Sequence, residues 1–233
     1  ALAGWLQSTG VRKGDRVIVF LQNCPQYLVS VYGIFRADAV VVPVNPMNKA
    51  DEFGHYIGDP QARVAITSAD LAGIVLEADS RLPEGQRLRH LVVTQMSEAG
   101  PDGLGQPVPP EEAPNEAVLA WLRTEACPDD PRVTRWPQAL ACPMRPAPST
   151  AGPDDLALLP YTSGTTGLPK GCMHTHRTLM ANVAGGGLWG QAGAESISLS
   201  VVPMFHITGF VYGVLSPVYV GSTAVILPRW DRE

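Results

Sequence analysis

Residues 161–171 read YTSGTTGLPKG. Ser163, Thr165 and Thr166 offer hydroxyl donors at near-adjacent positions. Gly164, Gly167 and Gly171 let the backbone turn and come close to a ligand. Lys170 places one ammonium at the far end. Backbone amides, hydroxyls and a single cation gathered on one loop make a site for a polyphosphate. The order differs from a Walker loop, which needs Gly directly before the Lys and Ser or Thr directly after it; here Pro169 precedes Lys170 and Gly171 follows. Pro169 also biases Leu168 away from helix, so Lys170 is expected on an extended arm and the phosphates in a flexible clasp.

Other chemistry-bearing residues are weaker signals. Cys172, His174 and His176 alternate and would share one face of a strand, but no fourth metal ligand lies nearby, and no metal site is assigned to them. Glu111–Glu112 and Asp129–Asp130 are adjacent carboxylates in Pro-rich sequence, and adjacent residues do not share a face; they are expected to be solvated. Tyr161 is expected to pack at the strand end and not to act as an acid.

The loop must be held by a scaffold. An apolar run, LALLP over 156–160, reads as the strand that delivers it. Upstream, strand-like runs at 15–21, 39–44, 62–67 and 90–94 alternate with helical stripes at 25–37, 51–57 and 69–77. The runs are β-branched and lack alternation, as expected where both faces of a sheet are covered. This alternation predicts an α/β, doubly wound, mostly parallel sheet with helices on both faces. Between residues 96 and 153 the pattern gives way to a Pro/Gly-rich excursion, with one short helix expected at 117–123. Beyond the loop, a strand end and helix are expected over 174–183, a strand over 198–204, a helix over 209–220 and a strand over 222–227.

Composition narrows the function classes. In 233 residues, 45% are hydrophobic and 17% charged, which excludes a largely disordered chain. The net charge is −5 and no Lys/Arg run exceeds two residues, so a nucleic-acid partner is not expected. Four widely spaced cysteines read as free thiols of a reducing compartment. No stretch reaches the ~20 apolar residues that span a bilayer. These features give an expectation of a cytoplasmic protein without a transmembrane segment. The first residues already read as helix and the last as the approach to another, which suggests a piece of something longer.

The whole eleven-residue string closely resembles the phosphate-loop signature of the adenylate-forming superfamily, which includes acyl-CoA synthetases, aryl-CoA ligases, beetle luciferases and the adenylation domains of peptide synthetases. The following GCMHTHRTLMANV agrees, as do GIFRADAVVVPVN at 33–45, with Asp38 where Gly is usual, and VPMFHITGF at 202–210. The resemblance implies that residues 1–233 form a partial N-terminal adenylation domain, resembling that of fatty-acyl-CoA ligases and lacking the small C-terminal domain. It implies that Thr162, Ser163, Gly164, Thr165, Thr166, Gly167 and Lys170 grip the β- and γ-phosphates of ATP, and that Phe205 and His206 line the pocket of a small carboxylic acid. The implied reaction joins the acid to ATP as an acyl-adenylate, then passes the acyl group to coenzyme A.

In that superfamily the magnesium ligand, the ribose contact and the acyl-transfer lysine sit on motifs that do not occur in these residues. The chain alone is therefore expected not to complete the reaction. Exposed strand edges are expected to invite self-association. Two alternatives stay open: an adenylation module for another acceptor, such as a carrier protein or oxygen, and a non-catalytic nucleotide-binding protein. The resemblance also leads us to expect segment 15–45 beside segment 200–228, with the middle of the chain in a second sheet.

Overall fold

The computed structural model describes residues 1–99, 127–162 and 167–228. Ser163, Gly164, Thr165 and Thr166, the helix expected at 117–123 and Glu111–Glu112 lie outside the described residues.

The β-branched runs form the centre of a seven-stranded sheet, in the order β5–β4–β3–β1–β2–β6–β9. Its strands are β1 (Arg16–Phe20), β2 (Val40–Pro43), β3 (Val64–Ser68), β4 (His90–Thr94), β5 (Val133–Arg135), β6 (Leu156–Leu158) and β9 (His174–Thr175). All neighbours run parallel except β6 and β9. Successive residues of a strand point to opposite faces, so Val17 and Val19 of β1 pack on one side and Ile18 and Phe20 on the other. The first side is covered by α1 (Leu2–Ser8), α2 (Pro25–Arg36) and α5 (Trp136–Leu140), through Leu6, Tyr27, Val31, Ile34 and Trp136. The second is covered by α3 (Ala50–Gly58) and α4 (Ala69–Ser80), through Phe53, Ile57, Ala72 and Val75. The fold is doubly wound, with helices on both faces, as the sequence pattern implies. Among the described residues no helix is long and apolar enough to cross a membrane, and all four cysteines are free.

Two short elements stand where the sequence shows only a Pro-rich excursion. β5 extends the sheet at its edge, and α5 starts at Trp136, with Pro137 in its first turn. Asp130 is not simply solvated either: its carboxylate takes two hydrogen bonds from the Arg132 guanidinium, at 2.9 and 3.0 Å.

The expected pairing of early with late strands does not occur. Segment 15–45 pairs with the middle of the chain in the large sheet, while β10 (Ile197–Ser200) and β11 (Thr223–Ile226) form a separate parallel pair. The two regions meet through a side chain. Asn23, at the carboxyl end of β1, accepts the Met204 N–H at 2.8 Å and donates to the carbonyls of Val202 and Leu227 at 3.1 and 3.4 Å. α6 (His176–Gly190) and a helical run over 207–220 add Leu179, Val183, Phe210 and Val214 to the first core, and Met204 joins them from the turn before that run. Within that run Phe210–Leu215 is a π turn.

Candidate functional site

After β6 the chain turns at Pro160 into a two-residue hairpin, β7 (Tyr161–Thr162) against β8 (Lys170–Gly171). Tyr161 pairs with Gly171 and Thr162 with Lys170, antiparallel. Lys170 is thus extended, as Pro169 suggests, and it is exposed. Among the described residues no carboxylate lies within ion-pair distance of it. The Thr162 hydroxyl donates to the Lys170 carbonyl at 3.4 Å, and the Cys172 N–H to that of Pro160 at 2.8 Å. Gly171 is needed for close packing: a Cβ there would meet Leu159 Cδ2 at 3.0 Å. Gly167 faces open space, with nothing within 4 Å of an added Cβ.

The base of the hairpin is bolted to α3. The Tyr161 ring packs edge-on against Tyr56 at 4.9 Å and His55 at 5.7 Å. Its hydroxyl donates to Asp59 Oδ2 at 2.5 Å. Burial, then the bond to the Asp59 carboxylate, pushes the phenol well above its ordinary range, so it stays a donor. His55 Nε2 lies 2.8 Å from the Pro169 carbonyl oxygen. That oxygen can only accept, so Nε2 carries the proton. Tyr161 packs at the strand end as the sequence suggests, and it also ties the hairpin down.

Opposite the hairpin stands segment 202–206. Gly209 lets this segment fold back on itself, since a Cβ there would sit 2.1 Å from the Pro203 carbonyl oxygen. Asn23 fixes Met204 next door, and Met204 is fully buried. Phe205 and His206 are left facing a hollow. His206 Nδ1 accepts the Thr208 N–H at 3.3 Å, which leaves Nε2 as the ring's remaining polar atom.

Between hairpin and segment lies a cleft of about 530 Å³. Thr162, Phe205 and His206 line it together with Asn45, Asn48 and Glu52. It opens beside Pro43, the last residue of β2, at the carboxyl end of the parallel strands, where open α/β sheets bind ligands. Lys170 and Gly167 stand on the hairpin arm beyond this lining. The asparagines and Glu52 were not singled out from the sequence, although NPMNK directly after a strand is a turn signal at a binding edge.

Cys172, His174 and His176 do not share a strand face. Cys172 precedes β9, His174 belongs to it, and His176 begins α6, where its ring meets Phe35 at 5.3 Å. Burial holds the His176 imidazole below its ordinary range, against the pull of Asp155 and Asp38. Among the described residues no cluster of three or more His, Cys, Asp or Glu could hold a metal ion.

A family model described as AMP-binding enzyme matches residues 1–233. A long-chain-fatty-acid–CoA ligase of Bacillus subtilis is 29% identical over 99% of this chain and 40% of its own length. The 4-coumarate–CoA ligase 3 of Oryza sativa subsp. japonica is 28% identical over 98% of this chain and 35% of its own. Among solved structures, a long-chain-fatty-acid–CoA ligase from Archaeoglobus fulgidus superposes with a TM-score of 0.68 at 26% identity, over 99% of this chain and 38% of that one. The chain spans about two fifths of the length of the curated relatives it matches.

Proposed function

Because this chain belongs to the AMP-binding enzyme family over residues 1–233, we propose that it forms the phosphate-gripping part of an ATP-dependent, AMP-forming acid–CoA ligase. The observation that carries the reading is the cleft that Thr162 of the hairpin shares with Phe205 and His206. Thr162, which lines the cleft from the hairpin, and the candidate acid pocket thus face one volume, with Lys170 on the adjoining arm.

In this reading Lys170, with the hydroxyls and amides of residues 162–167, neutralises the β- and γ-phosphates of ATP. The acid's carboxylate oxygen attacks the α-phosphorus, the bond to the β-phosphate oxygen breaks, and pyrophosphate leaves with the charge that Lys170 compensates. His206 Nε2–H offers the carboxylate a directed donor, and Phe205 gives its chain an apolar wall. Gly167, with no neighbour to meet, lets the phosphates approach the backbone. A fatty acid is the proposed acid, supported by the names of the Bacillus and Archaeoglobus relatives; the rice relative's name supports an aryl acid as the next to test.

Coenzyme A is the proposed acyl acceptor. Magnesium would supply further charge neutralisation at the phosphates. The described residues do not fit a magnesium site, since the cleft brings a single carboxylate, Glu52, whose Oε2 already accepts the Lys49 N–H at 3.1 Å. No step is assigned through the metal, and we assign to residues 1–233 the phosphate grip and the carboxylate contact, without the thioester step.

The test is carboxylate-dependent ATP–pyrophosphate exchange and acyl-CoA formation by the 233-residue chain, with a panel of fatty and aromatic acids, alongside ATP binding. Binding of ATP that depends on Lys170, without sustained acyl-CoA formation, agrees with this assignment. Acyl-CoA formation by the chain, or ATP binding indifferent to Lys170→Ala, contradicts it.

A further inference from the structure

The opposite edge of the large sheet carries a row of arginines that the phosphate hairpin does not use. Arg16 begins β1, Arg63 precedes β3, Arg89 precedes β4 and Arg132 precedes β5. These strands are neighbours, and their registers, Val17 with Val64, Val64 with His90 and Leu91 with Val133, bring the four arginines to the amino ends of adjacent strands. Arg87 joins them from the turn before β4. Two hollows open there: one of about 460 Å³ lined by Arg63, Glu84, Arg87, Arg89 and Arg132, and one of about 80 Å³ lined by Asp15, Arg16, Arg63, Arg89 and His90. Arg63 and Arg89 line both.

How these guanidinium groups are held sets them apart from ordinary surface charge. Arg132 is neutralised by Asp79 and Asp130. Arg63 instead donates to the carbonyls of Gly85 and Arg87, at 2.6 and 3.3 Å, and Arg87 to those of Leu82 and Ser80, at 2.9 and 2.8 Å. Arg16 donates to the carbonyls of Pro60 and Gly14. Carbonyls fix a guanidinium without cancelling its charge, so these cations are ordered in advance and remain unneutralised. Arg89 makes no side-chain hydrogen bond among the described residues and is exposed. Its charge is felt by His90, which burial and then Arg89 hold below the ordinary imidazole range. Of the two acids lining these hollows, Asp15 is engaged by the Arg12 N–H and Glu84 forms no ion pair among the described residues.

We infer that this edge is a second anion site, built for a phosphate-bearing anion and separate from the candidate nucleotide cleft. Planar guanidinium groups match phosphate oxygens in pairs, and a guanidinium already held by carbonyls loses little freedom when it does so. The chain's net charge of −5 makes a cation row of this kind a local feature and not a reflection of overall composition.

The test uses the full chain carrying Lys170→Ala, so that the hairpin does not compete, titrated with inorganic pyrophosphate at low salt and followed by amide chemical shifts. Shifts are expected at residues 84–90 and 132–133, with little change at 161–171. Arg89→Gln removes no internal hydrogen bond and should leave the thermal midpoint unchanged, yet weaken binding about tenfold, the size of one charge-assisted contact. A parallel arm measures co-sedimentation with phosphatidylglycerol and phosphatidylcholine vesicles. Arg89-dependent binding to the anionic vesicles alone assigns the phosphate to a lipid headgroup, whereas pyrophosphate binding without vesicle binding assigns it to a soluble anion. Absence of binding in both arms, or binding that Arg89→Gln does not weaken, overturns the inference.

Discussion

His55 Nε2 stands 2.8 Å from the carbonyl oxygen of Pro169, the residue directly before Lys170. With Tyr161 bonded to Asp59, the residue that caps α3, this ties both sides of the hairpin to the C-terminal end of α3. We therefore expect His55→Ala to leave the hairpin less well placed. A single neutral hydrogen bond stabilises by about 1 kcal/mol, so ATP affinity should fall about fivefold while the thermal midpoint moves little. His55→Gln, whose amide N–H can reach the same oxygen, should recover part of it. Equal affinities for ATP in wild type and His55→Ala, measured by calorimetry, would remove His55 from the site.

Asn23 does for the opposite wall what His55 does for the hairpin. It is 6% exposed and serves one N–H and two carbonyls on segments some 180 and 204 residues away in sequence. Asn23→Ala leaves the buried Met204 amide without an acceptor, at a cost of about 2 kcal/mol in urea unfolding. Asn23→Asp keeps that acceptor but turns a carboxylate oxygen towards two carbonyls, so it should not rescue. A stable Asn23→Asp variant would contradict this account of the 202–206 segment.

Acid should loosen the strap that leads into the hairpin. Asp38, in the left-handed region at φ 58°, takes hydrogen bonds from the Ser149 hydroxyl and from the Thr150 amide and hydroxyl. Burial alone would raise its carboxyl, but the bonds from Ser149 and Thr150 and the charge of Lys13 outweigh it and hold the carboxyl below its ordinary value. A depressed carboxyl stabilises the fold above the unfolded value, about 3.9, and that contribution is lost as pH falls through the lower folded value. Asp38→Asn should therefore flatten the fall in stability below about pH 4, seen as parallel chemical melts at pH 5 and pH 3. Unchanged pH dependence in the variant would count against this clasp.

Much of this was legible beforehand because burial on both sheet faces writes itself into sequence as unbroken β-branched runs: VIVF, VVVP and HLVVT are strands where the pattern puts them. β5 was not legible, being three residues inside a Pro-rich stretch with no room for a period to show. The expected pairing of segment 15–45 with 200–228 came from the resemblance and is not what the sheets show. Hydrophobic period could not correct it, since it tells which residues are buried and is silent on which strand they pair with. Thr162, Phe205 and His206 were singled out as candidates through motif order, and all three line one cleft. Asn23 and His55 were invisible for a common reason: each acts on a partner more than a hundred residues away, and no local spacing encodes such a contact.

The central claim is that Lys170 holds the outer phosphates of ATP. It is tested most directly by comparing ATP and AMP binding to the chain and to Lys170→Ala by calorimetry. The account predicts that ATP affinity falls about ten- to a hundredfold, the range of a charge-assisted contact, while AMP affinity is unchanged. Equal losses for both nucleotides, or no loss for ATP, would contradict it.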